Sequence, residues 1–365
     1  MADSKKRNKK TKIKEREANE SPHMLASLAS PCKFLQLPRE LRDMIYTCLF
    51  TSTRLAFGKR YIRRMGIVEP VTVKPAPNAL AILRTCRQIN EEAGSVWLGQ
   101  VLFSFENIDA LLDKFWPLPP TTLTKIRHVR THGDTLFIML PGDDEEVPYR
   151  AASVLKLLPS LNLHTLTVLG SLGGQDGYKT LDGFIKHGTG WKELYFVVRN
   201  SALLGFAKKH VNIEGWPWHK PQPITWNEIL LQRDGANSGA NIVSYRSTRS
   251  NSPGSVMDPL TRQIFEQTVS TPKDLETFEV AADDNLLTAQ EGMKEVLFIA
   301  KRGRSVDTMD RDESLYGWQD LRGWSMTWPE IKHKCIDYLY DLSEDDEVMV
   351  DSYSNIHEYV WPDLH

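Results

Sequence analysis

The chain has 365 residues, 41% of them hydrophobic and 25% charged, with a formal net charge of −2. This is the composition of a globular protein of two or three domains with a sizeable core. The charge is uneven: residues 1–16 hold eight Lys or Arg against Asp3 and Glu15, a balance of +6, which leaves −8 for residues 17–365. So acidic a body argues against general nucleic-acid binding, because phosphate contacts need Lys and Arg to displace counterions. The four cysteines, Cys32, Cys48, Cys86 and Cys335, include no CxxC pair. Scattered cysteines fit a reducing compartment and exclude zinc-finger spacing. No apolar run approaches the ~20 residues that span a bilayer. The apolar stretch Met24–Ala29 is too weak for a signal peptide. The expectation is an intracellular protein, in nucleus or cytoplasm, without membrane contact.

In chain order, residues 1–22 read as a disordered basic tail, since Lys5-Lys6-Arg7-Asn8-Lys9-Lys10 has nothing apolar to bury. The tail has two readings, a nuclear localisation signal and a solubilising segment. A small, mostly helical head is expected over 33–116. Its first helix covers Leu37–Phe50. Pro38 suits the first helical position, Glu40 favours the dipole, and Leu41, Met44, Ile45, Cys48 and Leu49 repeat at helical spacing as one apolar stripe. Tyr61–Met65 and Val71–Val73 read as short strands about a turn near Gly66, ended by Pro75 and Pro77. Asn78 caps a second long helix, over 79–98, with Leu80, Leu83, Cys86, Ile89, Ala93 and Trp97 on one face. Phe103–Phe105 is strand-like. Asn107 caps a third helix, Ile108–Phe115, which Pro117 stops.

From 117 to 340 helix and strand alternate in an α/β body. Strands are expected at 126–130, 165–169, 193–198, 242–245 and 296–300. Helices are expected at 149–158, 178–187, 223–232, 259–268 and 328–340. Such alternation implies right-handed crossovers and a largely parallel sheet. Three strands open on similar phrases: Leu123-Thr124-Lys125-Ile126, Leu163-His164-Thr165-Leu166 and Trp191-Lys192-Glu193-Leu194. Two architectures fit this degenerate repeat, an irregular leucine-rich-repeat-like stack and a three-layer α/β sheet. The fold class is therefore α+β or α/β. A Gly-, Ser- and Asn-rich loop spans 233–256. An acidic C-terminal segment, 341–365, reads as a solvated face.

Chemistry-bearing motifs are scarce. Gly173-Gly174-Gln175-Asp176-Gly177-Tyr178-Lys179-Thr180 stands where a phosphate loop would, between strand and helix. Tyr178 occupies the second glycine position and blocks the cradle, so Lys179 and Thr180 have no phosphate to hold. His128 and His132 face one way on a strand, but spacing supplies no third metal ligand. Trp216-Pro217-Trp218-His219-Lys220-Pro221 reads as a loop plug over a core or as a rigid binding surface, and Trp318, Trp324 and Trp328 pose the same choice. No catalytic, cofactor or metal residue is expected, and the chain reads as a non-enzyme.

Two segments carry a resemblance. Leu37-Pro38-Arg39-Glu40-Leu41-Arg42-Asp43-Met44-Ile45-Tyr46 and Leu83-Arg84-Thr85-Cys86-Arg87-Gln88-Ile89-Asn90-Glu91-Glu92-Ala93 resemble the head of a group of filamentous-fungal F-box-like proteins. The likeness covers residues 34–116, under a quarter of the chain. True F-box domains are three helices that dock on the Skp adaptor of a cullin ubiquitin ligase, and this chain departs from them in the 55–77 insertion. The resemblance implies a partner-binding surface at Leu37, Pro38, Leu41, Ile45 and Leu49, with a Skp-type adaptor and an unknown client as partners. The expected function is that of a protein–protein interaction protein, a substrate receptor of a ubiquitin ligase. The rivals are an enzyme with a nucleotide- or sugar-dependent body and a nuclear protein that contacts nucleic acid through its tail.

Overall fold

The computed structural model describes residues 32–64, 67–139, 146–170, 174–204, 222–267, 289–308 and 327–335. Contacts divide the chain into two compact units, one ending at Ile45 and the other running from Tyr46 onward. The first unit holds a 3-10 turn, Lys33–Gln36, and the start of the helix Arg39–Thr51, whose residues from Tyr46 onward belong to the second unit. In the second unit the strands are β1 (Arg54–Arg64), β2 (Ile67–Val73), β3 (Leu102–Phe105), β4 (His128–His132), β5 (Leu136–Met139) and β6 (Glu146–Tyr149). They continue as β7 (Leu163–Leu169), β8 (Trp191–Val198), β9 (Asn241–Ser250), β10 (Arg262–Ile264) and β11 (Lys294–Lys301). Nine of them form one sheet in the order β10-β9-β11-β8-β7-β4-β3-β1-β2, and β5 and β6 form a separate antiparallel pair.

The sheet is mixed. The pairs β1–β3, β3–β4, β4–β7 and β7–β8 are parallel, so five strands lie side by side in chain order. The pairs β1–β2, β8–β11, β11–β9 and β9–β10 are antiparallel. The expected largely parallel sheet is thus parallel in its middle and antiparallel at both ends, an α+β fold. The small helical head also needs correcting. Its hairpin β1–β2 and its strand β3 belong to the large sheet, and the expected boundary at 116/117 falls between the paired strands β3 and β4.

Registers explain where the core sits. Leu55, Phe103, Val129, Leu166, Leu194, Ala300 and Ile242 lie in one row across seven strands, beside a second row of Phe57, Phe105, Thr131, Val168, Phe196, Phe298 and Ser244. Helices cover this apolar face. Phe115, on the helix Ile108–Phe115, meets Phe103 and Phe105 edge-on, with ring centroids 5.7 and 5.0 Å apart. Trp226, on the helix Ile224–Asp234, meets Phe298 edge-on at 5.3 Å. Successive side chains of a strand alternate between faces. The other face therefore carries Ser104, Arg130, Thr167, Tyr195 and Ile299 in one row and His128, Thr165, Glu193, Lys301 and Asn241 in the next.

The helix Ile108–Phe115 begins as expected, with the Asn107 side chain accepting the Ala110 N–H at 2.9 Å. Three expected helices do not form as such. The 149–158 stretch opens on the last residue of β6, Tyr149, and then makes one α-helical turn, Ala151–Val154, and a 3-10 turn, Leu155–Leu157. The 79–98 stretch breaks into a 3-10 turn at Ala81–Arg84, a helix at Arg87–Ala93 and a 3-10 turn at Trp97–Gly99. Cys86 is fully extended (φ −159°, ψ 165°), and the Asn90 side chain donates back to the Leu83 carbonyl at 2.8 Å across the break. The 259–268 stretch makes one 3-10 turn, Pro259–Thr261, and then joins the sheet as β10. The helix at the C-terminal end is Trp328–Cys335, opened by Glu330 accepting from both Thr327 N and Thr327 Oγ1, at 2.7 and 2.8 Å. Its expected continuation to 340 lies outside the described residues. Among the described residues no helix is long and apolar enough to cross a membrane.

Candidate partner-binding surface

The helix Arg39–Thr51 presents two faces of opposite character. Arg42, Tyr46 and Phe50, four residues apart, are buried, Phe50 completely so. The Tyr46 hydroxyl donates to Glu92 Oε2 at 2.9 Å, and Gln88 Nε2 donates to the other oxygen of that carboxylate at 3.0 Å. The Arg42 guanidinium donates to the Leu35 and Leu37 carbonyls and so closes the turn that precedes the helix. The apolar stripe read from the sequence points elsewhere. Met44 is 64% exposed, Leu41 46%, Ile45 41% and Leu49 37%, and Cys48 is exposed beside them. At about 100° per residue these five span an arc of about 140°, centred well away from the arc of Arg42, Tyr46 and Phe50. Pro38 is exposed at the start of the same helix and Leu37 is half-buried. One polar and aromatic face thus anchors the helix, and four large apolar side chains remain in solvent.

The other sequence candidates take structural roles or fall outside the described residues. The helix Gly174–His187 places Tyr178, Lys179 and Thr180 in its second turn, away from the N-terminal amides that cradle a phosphate. Tyr178 is buried, accepts a hydrogen bond from Gln222 Nε2 at 3.0 Å and lies 5.0 Å from the Trp226 ring. Gly173 lies outside the described residues. His128 packs against the His164 ring at 5.9 Å, and burial, with His164 and Arg127 nearby, lowers its pKa to about 4. His132 is pushed down to about 3 by burial first and then by Arg130, Arg199 and Arg60. Among the described residues no three His, Cys, Asp or Glu side chains cluster as metal ligands. The basic tail 1–22, the Trp216–Pro221 patch, Trp318, Trp324 and the acidic segment 341–365 all lie outside the described residues. Trp328 is buried, with its indole N–H donating to Asp113 Oδ1 at 2.9 Å. Lys332 Nζ meets the other oxygen of Asp113 at 2.6 Å, so this helix is latched to Ile108–Phe115 through one carboxylate.

Sequence reasoning missed several polar anchors. The Asp234 carboxylate is fully buried and accepts from Arg302 Nε and Nη2 and from the Gly303 N–H, at 2.7 to 2.9 Å. Glu295 is buried and accepts the Gly254 and Val256 N–H groups at 2.9 and 3.2 Å, which shapes the turn between β9 and β10. No local signal marks either residue, because each partner is tens of residues away in the chain. No protein-family model, no curated protein and no solved structure matches the chain.

Proposed function

We propose that this is a protein–protein interaction protein that docks a Skp-type adaptor through the exposed stripe of the helix Arg39–Thr51 and holds a client on its sheet, as a ubiquitin-ligase substrate receptor does. The observation that carries the reading is the solvent exposure of Leu41, Met44, Ile45 and Leu49 on a helix already anchored by its opposite face. Isolated apolar side chains at a surface are ordinary, but four on one arc of one helix form a patch of the kind that marks partner contacts. Helix-in-groove recognition reads anchors at i, i+3, i+4 and i+7; Leu41, Met44 and Ile45 hold the first three of these positions, and Leu49 follows one residue beyond the fourth. The Leu37-Pro38 start, which resembles that of an F-box, supports the choice of adaptor. The five parallel strands lying in chain order support an irregular repeat-like body.

The test uses the full chain and purified Skp-type adaptor at micromolar concentration. The wild-type protein retains the adaptor on a pull-down. Ile45→Asp loses it while the melting curve stays within a few degrees of wild type, because Ile45 contributes little burial. Absence of retention by the wild-type chain, or retention untouched by Ile45→Asp, ends this reading.

A further inference from the structure

The two outer edges of the nine-stranded sheet differ in protection. At one edge β2 carries Pro70 in mid-strand, a usual device against pairing with another chain, since proline offers no donor. At the other edge β10 has no proline, and its hydrogen bonds show which groups remain open. The Phe265 N–H donates to the Ser244 carbonyl at 2.9 Å, and Thr248 Oγ1 donates to the Thr261 carbonyl at 3.2 Å. In an antiparallel ladder bonded and non-bonded pairs alternate. With the register Arg262↔Ser247, Gln263↔Arg246 and Ile264↔Tyr245, the groups of Thr261, Gln263 and Phe265 turn toward β9. The N–H and C=O of Arg262 and Ile264 therefore point away from β9, on the side where, among the described residues, no further strand pairs with β10.

The side chains around this open edge define a chemistry. Leu260 is 91% exposed and Ile264 66%, the two most exposed large apolar side chains among the described residues. Between them Arg262 holds its guanidinium 4.5 Å from the centroid of the Tyr245 ring, on the same face of the sheet as Ile264. We propose that β10 is a docking edge for an extended peptide segment of another protein. The segment adds as an antiparallel tenth strand and makes four main-chain hydrogen bonds to Arg262 and Ile264. Alternation puts the two peptide residues opposite Ile264 and Arg262 on that same face, two positions apart. Antiparallel direction places the residue facing Ile264 first. The recognised sequence, read from its N-terminus, is then apolar, any residue, acidic, with a carboxylate meeting Arg262. Main-chain bonds supply affinity and these two positions supply selection. The site gives the sheet a means of holding a client and does not depend on adaptor docking.

The test selects nine-residue random peptides displayed on phage against the full chain, then measures synthetic versions of the enriched peptides by fluorescence anisotropy. Apolar-X-acidic sequences are expected to enrich. Ile264→Pro removes one outward donor without touching the ladder to β9, so it weakens binding at least tenfold at an unchanged melting temperature. Arg262→Glu redirects the selection from acidic to basic residues at the third position. The proposal is overturned if no peptide enriches, or if enriched peptides bind Ile264→Pro as they bind wild type. It is equally overturned if sedimentation shows a dimer that Ile264→Pro dissociates, for then the edge pairs with a second copy. Loss of adaptor pull-down has no bearing on this outcome, so the two proposals fail separately.

Discussion

The parallel run β1-β3-β4-β7-β8 and the antiparallel run β8-β11-β9-β10 share one sheet but are held in different ways. In the parallel run stabilisation is carried mainly by apolar rows under helices: Phe103 and Phe105 beneath Phe115, and the wholly buried Leu166 and Val168 on β7. In the antiparallel run single polar side chains bridge to distant backbone. Asn227 brackets Ile242, donating to its carbonyl at 3.0 Å and accepting its N–H at 2.6 Å. Ser244 Oγ donates to the Phe265 carbonyl, Glu295 holds the Gly254–Val256 turn, and Asp234 holds Arg302 and Gly303. Loss at one point of a repeated apolar layer leaves a cavity that neighbours partly close, whereas loss of a bridge leaves a buried polar group unmatched. The lesson is that one sheet can be fragile at one end through polar groups and at the other through volume.

The largest effect is therefore expected at a bridge. Asp234→Ala leaves the Arg302 guanidinium buried without its carboxylate and should cost about 3–5 kcal/mol. The pair itself is a poor source of net stability, because desolvating two charges consumes most of their attraction. Asp234→Leu combined with Arg302→Met should accordingly recover most of the loss, by chemical denaturation with an unchanged slope. If Asp234→Ala proves nearly neutral, the contrast between the two runs fails. The next effect belongs to the parallel run. Leu166→Ala removes a fully buried side chain at its centre, and the lost transfer energy plus the cavity should cost about 2–4 kcal/mol. Denaturation of both single variants under one set of conditions gives the ranking directly.

The same contrast governs what the sequence could show. All five strands expected in the body are present, and β1 and β2 pair as expected down to Arg64 and Ile67, while the turn expected near Gly66 lies outside the described residues. Those elements announce themselves by periodic apolar residues, and Asn107 and Pro117 bound a helix by local chemistry alone. What failed was set by partners far away. The 259–268 stretch has a helix-like opening, with Asp258 accepting the Leu260 N–H at 2.9 Å and Pro259 in the first turn. The edge of β9 then captures Arg262–Ile264, and pairing outweighs local propensity. The first helix was legible as a helix, with its stripe, but not in its orientation. Arg42 and Tyr46 face inward because Tyr46 finds Glu92, 46 residues on, and Arg42 finds two carbonyls of the preceding turn. Hydrophobicity alone would have turned Leu41, Met44, Ile45 and Leu49 to the inside.

The smallest expected effect is a pH dependence confined to the parallel run. His128 and His132 stand on β4, on the polar face of the sheet. Burial lowers both, to about 4 and about 3, against an ordinary value of 6.5. For His128 the His164 ring and Arg127 add to the shift, and for His132 Arg130, Arg199 and Arg60 do so. A depressed folded-state value means that the unfolded chain takes up protons first as pH falls. The stability linked to these groups is thus complete above about pH 6.5 and is lost progressively as pH falls toward 4 and 3. Most ordinary carboxylates stay ionised above about pH 5, so the interval from 6.5 to 5.5 isolates the histidines. For a residue as fully shifted as His132 the loss at pH 5.5 amounts to about 1.4 kcal/mol. His132→Gln keeps a polar side chain that cannot titrate, and it should flatten the decline in melting temperature between pH 6.5 and 5.5 while lowering the plateau above it only modestly. An equal decline in the variant would show that His132 is protonated in the folded protein, and that the polar face of the parallel run is open to water at β4.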